Sequence, residues 1–285
     1  MKYTGFVPCL GVSIIGGFMT QTHFTPDITD DFVKMHEDYL VPAIFAQWAN
    51  RVAEIAEIDL GHDVLDVACG TGALARSARL ETGFQGTVTG LDASEKMLES
   101  AARHSRGIEW QQGDAGSMPF EKNRFDRVIC QFSLMFIANR VHAIKEMLRV
   151  CKPEGLVVLS TWAPLEHSRA YAALIELVRR FVGPHAAFKL AAPWSLCKPG
   201  VMDALFLTTG INEYECHERR GVAHFPSVKS FVETHLRLVG EFHELNEDAR
   251  QGLLSAAAVE LAPFLVSDGQ VAAQLDAHIF VVSGI

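Results

Sequence analysis

The chain has 285 residues, 49% of them hydrophobic, enough to bury a sizeable core as one large domain or a domain with an elaborate insertion, and too apolar for disorder to be the default. A formal charge of −9 and a pI near 5.7 lack the clustered Lys and Arg that phosphate neutralisation needs, so small molecules rather than nucleic acids are the expected ligands. The six cysteines (9, 69, 130, 151, 197 and 216) are scattered with no Cys-x-x-Cys pair and no Cys/His group at zinc spacing, which predicts reduced thiols, a cytoplasmic location and no metal site.

The apolar stretch Phe6 to Met19 contains Pro8 and three glycines, and is too short to span a bilayer as a helix. It suits a secretory signal poorly. Residues 1–20 are expected to form an N-terminal arm, either loosely packed or translated upstream of a start at Met19 and then not native. No other run is long and apolar enough for a membrane span. Residues 21–62 should supply N-terminal helices: from Thr29 to Glu57 the residues Ile44, Phe45, Trp48, Val52 and Ile55 recur at helical spacing, with Pro42 breaking the run.

Strands and helices then alternate. Strands are expected at 63–68, 86–91, 108–112, 125–131 and 155–162, with helices at 73–81, 94–104 and 139–150. Such alternation predicts an α/β fold with a parallel sheet and helices on both faces, and continuous apolar runs such as Leu156 to Leu159 suit strands buried on both sides. After Trp162 the pattern turns helical around 170–181 and 201–209, followed by a strand-like segment over 211–217. Ser227 can cap a helix whose apolar face carries Val228, Phe231, Val232, Leu236 and Val239. Asn246, Glu247 and Asp248 open another helix favourably for its dipole, and His278 to Val282 reads as a terminal strand.

The chemistry concentrates at the strand ends. Val64-Leu-Asp-Val-Ala-Cys-Gly-Thr-Gly72 is an apolar strand followed by a glycine turn that opens a helix. Gly70 and Gly72 permit close backbone approach and aim helix N–H groups at a ligand, although Gly70-x-Gly72-x-x-Ala75 also fits a dinucleotide fingerprint. Asp92 ends the second strand, twenty residues after Gly72, where a carboxylate can accept both hydrogen bonds of a ribose diol. Asp114 ends the third strand, where it can meet an adenine amino group beside the Ala115 N–H. Each acid also has a plainer use: Asp66 and Asp92 can cap the turn or helix that follows, and Asp114 can be a solvated turn residue.

Together with Gly90-Leu-Asp-Ala-Ser-Glu-Lys-Met97, Gly113-Asp-Ala-Gly-Ser-Met-Pro-Phe120, Phe125-Asp-Arg-Val-Ile129 and Glu146-Met-Leu-Arg-Val-Cys-Lys-Pro-Glu-Gly155, this order resembles the class I S-adenosylmethionine-dependent methyltransferases. It resembles in particular the small-molecule branch that includes the ubiquinone and menaquinone biosynthesis enzymes. The likeness is strong over roughly 63–162 and weak beyond, where Phe225-Pro-Ser-Val-Lys-Ser-Phe231 looks like part of a helical lid. The resemblance implies a Rossmann-like, seven-stranded, mostly parallel sheet over 63–223 and 269–285, with a lid inserted at 224–268. It further implies methyl transfer from S-adenosyl-L-methionine to a small, partly hydrophobic acceptor. Asp66, Ala68, Gly70 and Gly72 would hold the methionine part, Asp92 the ribose, and Asp114 with Ala115 the adenine. Gln131 and Phe132 would face the methionine end and the acceptor.

Ala68 stands where the family usually has its first glycine, and Glu154 replaces a glycine in a remote turn. Nothing matches the Asn/Asp-Pro-Pro-aromatic motif of enzymes that methylate adenine or amide nitrogen, so those acceptors are disfavoured. Candidates for the acceptor side are Trp162, Glu166, His167, Tyr171, Met135, Phe136, Trp194, His224, His235 and Arg237. None is singled out as catalytic, because a sulfonium methyl is electrophilic without protein help. The alternatives are a methyltransferase-like regulatory subunit, a non-methylating enzyme that keeps the cofactor, and an NAD(P)-dependent oxidoreductase built on the same glycine turn.

Overall fold

The computed structural model describes residues 3–4, 24–240 and 245–283; most of the expected N-terminal arm lies outside them. Residues Tyr3–Thr4 form a short strand, β1. Helix α1 (Asp30–Met35), a π-helical stretch over His36–Phe45 and α2 (Ala46–Ile55) follow one another without interruption. Pro42 was expected to break this run and does not. It sits inside the π-helical stretch, whose wider ladder is closed by the Ala46 N–H on the Val41 carbonyl, a spacing that tolerates a residue with no N–H of its own.

The sheet is built from β2 (Asp63–Val67), β3 (Thr87–Asp92), β4 (Glu109–Gln112), β5 (Phe125–Gln131), β6 (Cys151–Trp162), β7 (Glu215–Arg219) and β10 (Ala277–Val282). Its order is β1-β7-β10-β6-β5-β2-β3-β4. Strands β4 through β6 in that row are parallel, and β10 runs against both β6 and β7. This is the expected seven-stranded, mostly parallel sheet, with β1 added as a two-residue edge on β7. Valine, leucine and isoleucine fill the central strands: Val64, Leu65, Val67, Val128, Ile129, Val157, Val158 and Leu159 are completely buried, as a sheet covered on both faces requires.

Helices α3 (Ala73–Thr82), α4 (Glu95–His104) and α5 (Arg140–Val150) make the crossovers. Ser94 caps α4 through the Met97 N–H, and Asn139 caps α5 through the His142 N–H. Fully buried Ala143, Ile144, Met147 and Val150 form the inward stripe of α5. Beyond β6 come α6 (Arg169–Phe181), α7 (Pro184–Ala191) and α8 (Val201–Thr209). The segment expected as a lid carries α9 (Val228–Leu238) and α10 (Glu247–Glu260), capped by Ser227 and Asn246 as their sequences indicate. At its base, β8 (Val222–Phe225) pairs with β9 (Val271–Gln274). Helix α7 and the β8–β9 pair were not anticipated, because four-residue, alanine-bearing strands show too little alternation to be read. The strand expected over 211–217 begins only at Glu215.

One packing arrangement positions the glycine turn. Asp66, Gly90 and Trp110 are neighbours across β2, β3 and β4, and the Trp110 ring folds back over Gly90 toward the turn. A Cβ on Gly90 would meet that ring well inside contact distance, and would also lie 2.9 Å from Cys69 Sγ. A Cβ on Gly72 would meet the same ring at 2.6 Å. Gly90→Ala is therefore expected to destabilise the protein by about 1–3 kcal/mol, the range for overpacking, as measured by urea unfolding. Adding Trp110→Leu to Gly90→Ala should recover part of that loss, since the partner of the clash is gone.

Candidate functional site

The chain leaves β2 for β3 and β4 on one side of the sheet and returns to β5 on the other. At such a reversal the loops part at the carboxyl edge and leave a crevice. A cavity of about 490 Å³ opens here. Of the residues singled out for a cofactor, Asp66, Ala68, Gly70, Asp92, Asp114, Ala115, Gln131 and Phe132 all line it. Gly72 does not. It is the left-handed residue (φ +86°) that starts α3 and the one against which Trp110 packs.

The turn after β2 is tightly wound: Ala68, Gly70 and Gly72 all have positive φ, at 53°, 56° and 86°. Ala68 pays the left-handed penalty of about 1–2 kcal/mol that a glycine would avoid. The turn is held by Asp92, whose two carboxylate oxygens accept the Gly70 and Ser94 N–H groups, each at 2.8 Å. Burial raises the Asp92 carboxyl above its ordinary range, opposed by the amides of Ser94, Gly70 and Ala93. Each oxygen retains a further lone pair for a ligand hydroxyl. Asp114 forms a local turn by accepting the Gly116 N–H at 2.7 Å. The loop behind it is stapled to α5, where Glu146 accepts the Met118 N–H and Arg149 donates to the Met118 and Phe120 carbonyls.

Asp66 is 1% exposed, and its Oδ2 has no hydrogen-bond partner among the described residues. Burial lifts this carboxyl well above its ordinary value of 3.8; the Ala75 amide works against the shift, the Asp92 charge adds to it, and Arg76 opposes it. On neighbouring β5, Gln131 gives its amide N–H to the Phe45 carbonyl at 3.4 Å and leaves Oε1 buried without a partner. Two acceptor oxygens on one wall thus lack donors. Phe132 takes a left-handed conformation (φ +49°) and stacks on Trp162, with centroids 3.5 Å apart and planes 8° from parallel.

Several lining residues have no counterpart in the sequence reading. The π-helical stretch brings His36, Leu40, Ile44 and Phe45 to the cavity. Its first residue lies over the glycine turn, with His36 Nδ1 3.1 Å from Thr71 Oγ1 and its ring stacked on Phe45 at 5.1 Å. Arg76 fastens this stretch by pairing with Glu37 at 3.1 Å and donating to the Thr71 carbonyl. Ser133 bridges the two parting strands by donating to the Ala68 and Gln131 carbonyls. A four-residue recurrence from His36 to Ile44 was the available signal, but it reads equally well as ordinary core.

On the acceptor side the structure brings together Phe136, Trp162, Tyr171, Trp194 and His235. Glu166, His167, Met135, His224 and Arg237 are not part of the lining. Met135 is buried behind it, His224 is exposed on β8, and Arg237 lies 3.6 Å from Asp31, tying α9 to α1. Among the described residues, no group of three or more His, Cys, Asp and Glu side chains can hold a metal, and no helix is long and apolar enough to cross a membrane.

Residues 65–159, from β2 to the middle of β6, match the model of a methyltransferase domain. That third of the chain is similar to methyltransferase domains. Over part of its length the sequence also resembles enzymes named demethylmenaquinone methyltransferase. The one from Staphylococcus haemolyticus is 37% identical over 141 residues, 48% of this chain and 58% of that one. The one from Desulfitobacterium hafniense is 36% identical over 117 residues, 39% and 46% of the two chains. The chain thus spans about half the length of these curated relatives. In fold, the chain is similar to the YcgJ protein of Bacillus subtilis, with a TM-score of 0.54 at 19% identity over 83% of this chain and 98% of that one. A Bacillus halodurans protein gives 0.52 at 20% identity over 82% and 96%.

The buried Asp66 carboxyl makes a prediction about the ligand-free protein. Its folded-state pKa lies above the unfolded value, so the folded state holds the extra proton. Its contribution to stability is present below about pH 3.8 and is lost as pH rises through the folded value. Asp66→Asn is expected to melt at a higher temperature than the parent at pH 8, and the advantage should shrink toward pH 5, as followed by scanning calorimetry. An advantage that is constant or reversed across that range would show that Asp66 is ionised at no cost.

Proposed function

We propose that the protein transfers a methyl group from S-adenosylmethionine to a small, partly hydrophobic acceptor. The observation that carries this reading is the set of polar groups on one cavity wall: three strand-end acids around a left-handed glycine turn, with the buried oxygens of Asp66 and Gln131 both lacking a donor. An ammonium group supplies such donors, which fits the amino-acid end of the cofactor against Asp66 and Gln131. Asp92 would accept from the ribose hydroxyls, while Asp114 and Ala115 would bound the adenine. Ala68, Gly70 and Gly72 set the backbone turn that lets the ligand approach. When bound, the cofactor supplies an electrophilic methyl on a sulfonium.

The protein's own part is then to align the acceptor and to exclude water. The apolar residues contributed by the π-helical stretch, α7 and α9 close the cavity over the sheet edge. The relatives named as demethylmenaquinone methyltransferases support an acceptor of partly hydrophobic character, and the acidic surface supports a partner other than nucleic acid. The five described thiols are unpaired, which suits a cytoplasmic setting. We read residues 224–268, with α9 and α10, as the lid.

Calorimetric titration with S-adenosylmethionine, S-adenosylhomocysteine and NADH tests this reading. Both sulfur compounds should bind in the micromolar range, and Asp92→Ala should weaken them by roughly 1.5–3 kcal/mol, the worth of hydrogen bonds to a charged group. Binding of NADH alone would support the oxidoreductase alternative and overturn the proposal. Cofactor binding without formation of S-adenosylhomocysteine across an acceptor panel would point to a regulatory subunit or a non-methylating enzyme.

A further inference from the structure

Resting on the reading of the inner wall as the cofactor side, we propose that Tyr171, Trp194 and His235 form a recognition site on the outer wall for an uncharged hydroxyl compound. Two hydrogen-bond donors and one acceptor would face its oxygen. All three residues line the cavity and are nearly sealed from solvent, at 2%, 7% and 3% exposure. The Tyr171 hydroxyl and the Trp194 indole N–H have no hydrogen-bond partner among the described residues. A buried donor left unpaired costs about 1–3 kcal/mol, and phenylalanine would fill either position without that cost. The polar atoms therefore need an explanation beyond packing, and a ligand oxygen provides one.

His235 completes the set with opposite polarity. Its Nδ1 lies 2.6 Å from the Phe231 carbonyl. A carbonyl only accepts, so Nδ1 carries the proton and Nε2 is left with the lone pair. Burial lowers the imidazole to about 4, with the Phe231 carbonyl opposing the shift, so the ring is neutral near pH 7 and accepts rather than donates at Nε2. The three rings are neighbours: Tyr171 and Trp194 have centroids 5.3 Å apart, Tyr171 and His235 5.2 Å. Two donors and one acceptor match a hydroxyl, which takes hydrogen bonds at its oxygen and gives one away.

The charges around the site are mixed, and the preference for a neutral ligand rests on the inner-wall carboxylates. On the outer wall, the Lys189 ammonium donates to the Val239 carbonyl at 3.2 Å. The Asp92 and Asp114 carboxylates belong to the inner wall, where they would repel an anionic acceptor. The stacked Phe132 and Trp162 rings between the two walls add a flat apolar surface.

The experiment measures binding of 2-naphthol to the full chain, with and without S-adenosylhomocysteine, and compares 2-methoxynaphthalene and 2-naphthalenesulfonate. The methyl ether removes the proton offered to His235, and the sulfonate adds charge. We expect 2-naphthol to bind more tightly than either analogue. Tyr171→Phe and Trp194→Phe should each weaken it about three- to tenfold, the worth of one neutral hydrogen bond, while both variants keep the parent affinity for S-adenosylhomocysteine. The two substitutions act independently, so misfolding of one leaves the other to decide. Equal binding of naphthol and its ether, tighter binding of the sulfonate, or naphthol affinity unchanged in both variants would overturn the proposal and assign the polar atoms to trapped water. Loss of S-adenosylhomocysteine binding in the parent protein would instead sink the cofactor reading, and the naphthol response to Tyr171 would still decide the outer site.

Discussion

Parallel strands deliver all their carboxyl ends to one edge, and this molecule divides its chain there. After β2 the backbone turns toward β3 and β4, and β5 is laid down on the opposite side. No connection can then cover the gap between β2 and β5, so the most buried strands of the core end in an open crevice. Much of what is unusual in the structure clusters at that gap. The positive φ of Ala68, Gly70 and Phe132, the orphaned oxygens of Asp66 and Gln131, and the Ser133 bridge between the two strand ends all lie there. Left-handed residues and unpaired buried acceptors are costs, and they persist where the surrounding structure over-determines them. The fully buried apolar strands on both sides provide that constraint.

The crevice alone would be shallow and wet. Two separate pieces of chain deepen it: the helical residues before β2 and the helices after β6. The first is pinned to the glycine turn by His36, Thr71 and the Arg76–Glu37 pair. The second is joined to the first where Arg237 of α9 meets Asp31 of α1. Neither link is buried enough to contribute much stability. Their value lies in registering three remote stretches of sequence around one volume, with the apolar side chains between them supplying the cohesion.

Much of the central sheet was legible because β2, β3, β5 and β6 carry apolar runs, and in β2 and β3 the run meets an acid near its carboxyl end. Asp66 and Asp92 could be picked out from position alone, since a carboxylate directly after Val64-Leu65 or Leu91 has no core to satisfy it. Gly72 was visible as a glycine, but for a reason the sequence does not show. It is the Trp110 ring, thirty-eight residues away, that leaves no room for a Cβ. The π-helical stretch was hidden for a local reason, because Pro42 ordinarily ends a helix and nothing nearby announces the wider ladder. Tyr171, Trp194 and His235 were named from the sequence among ten acceptor-side candidates, but nothing there set them apart from the others: each alone resembles core, and only the fold makes α6, the turn after α7 and α9 share a wall.

The two halves of the cavity make opposite demands on polarity, and this constrains what can occupy them together. The inner wall is short of hydrogen-bond donors and rich in carboxylates, so it favours a ligand with cationic and hydroxyl groups. The outer wall offers donors from a phenol and an indole, an acceptor from a neutral imidazole, and aromatic faces. A single molecule spanning both would need a cationic end and a neutral, flat end joined within one volume. Two molecules meeting at the Phe132–Trp162 stack satisfy the same pattern with less chemical contrivance. That is the arrangement in which a donor held on the sheet edge and an acceptor held by the helices meet away from water, and the electrostatics of the walls alone would then keep each from binding in the other's place.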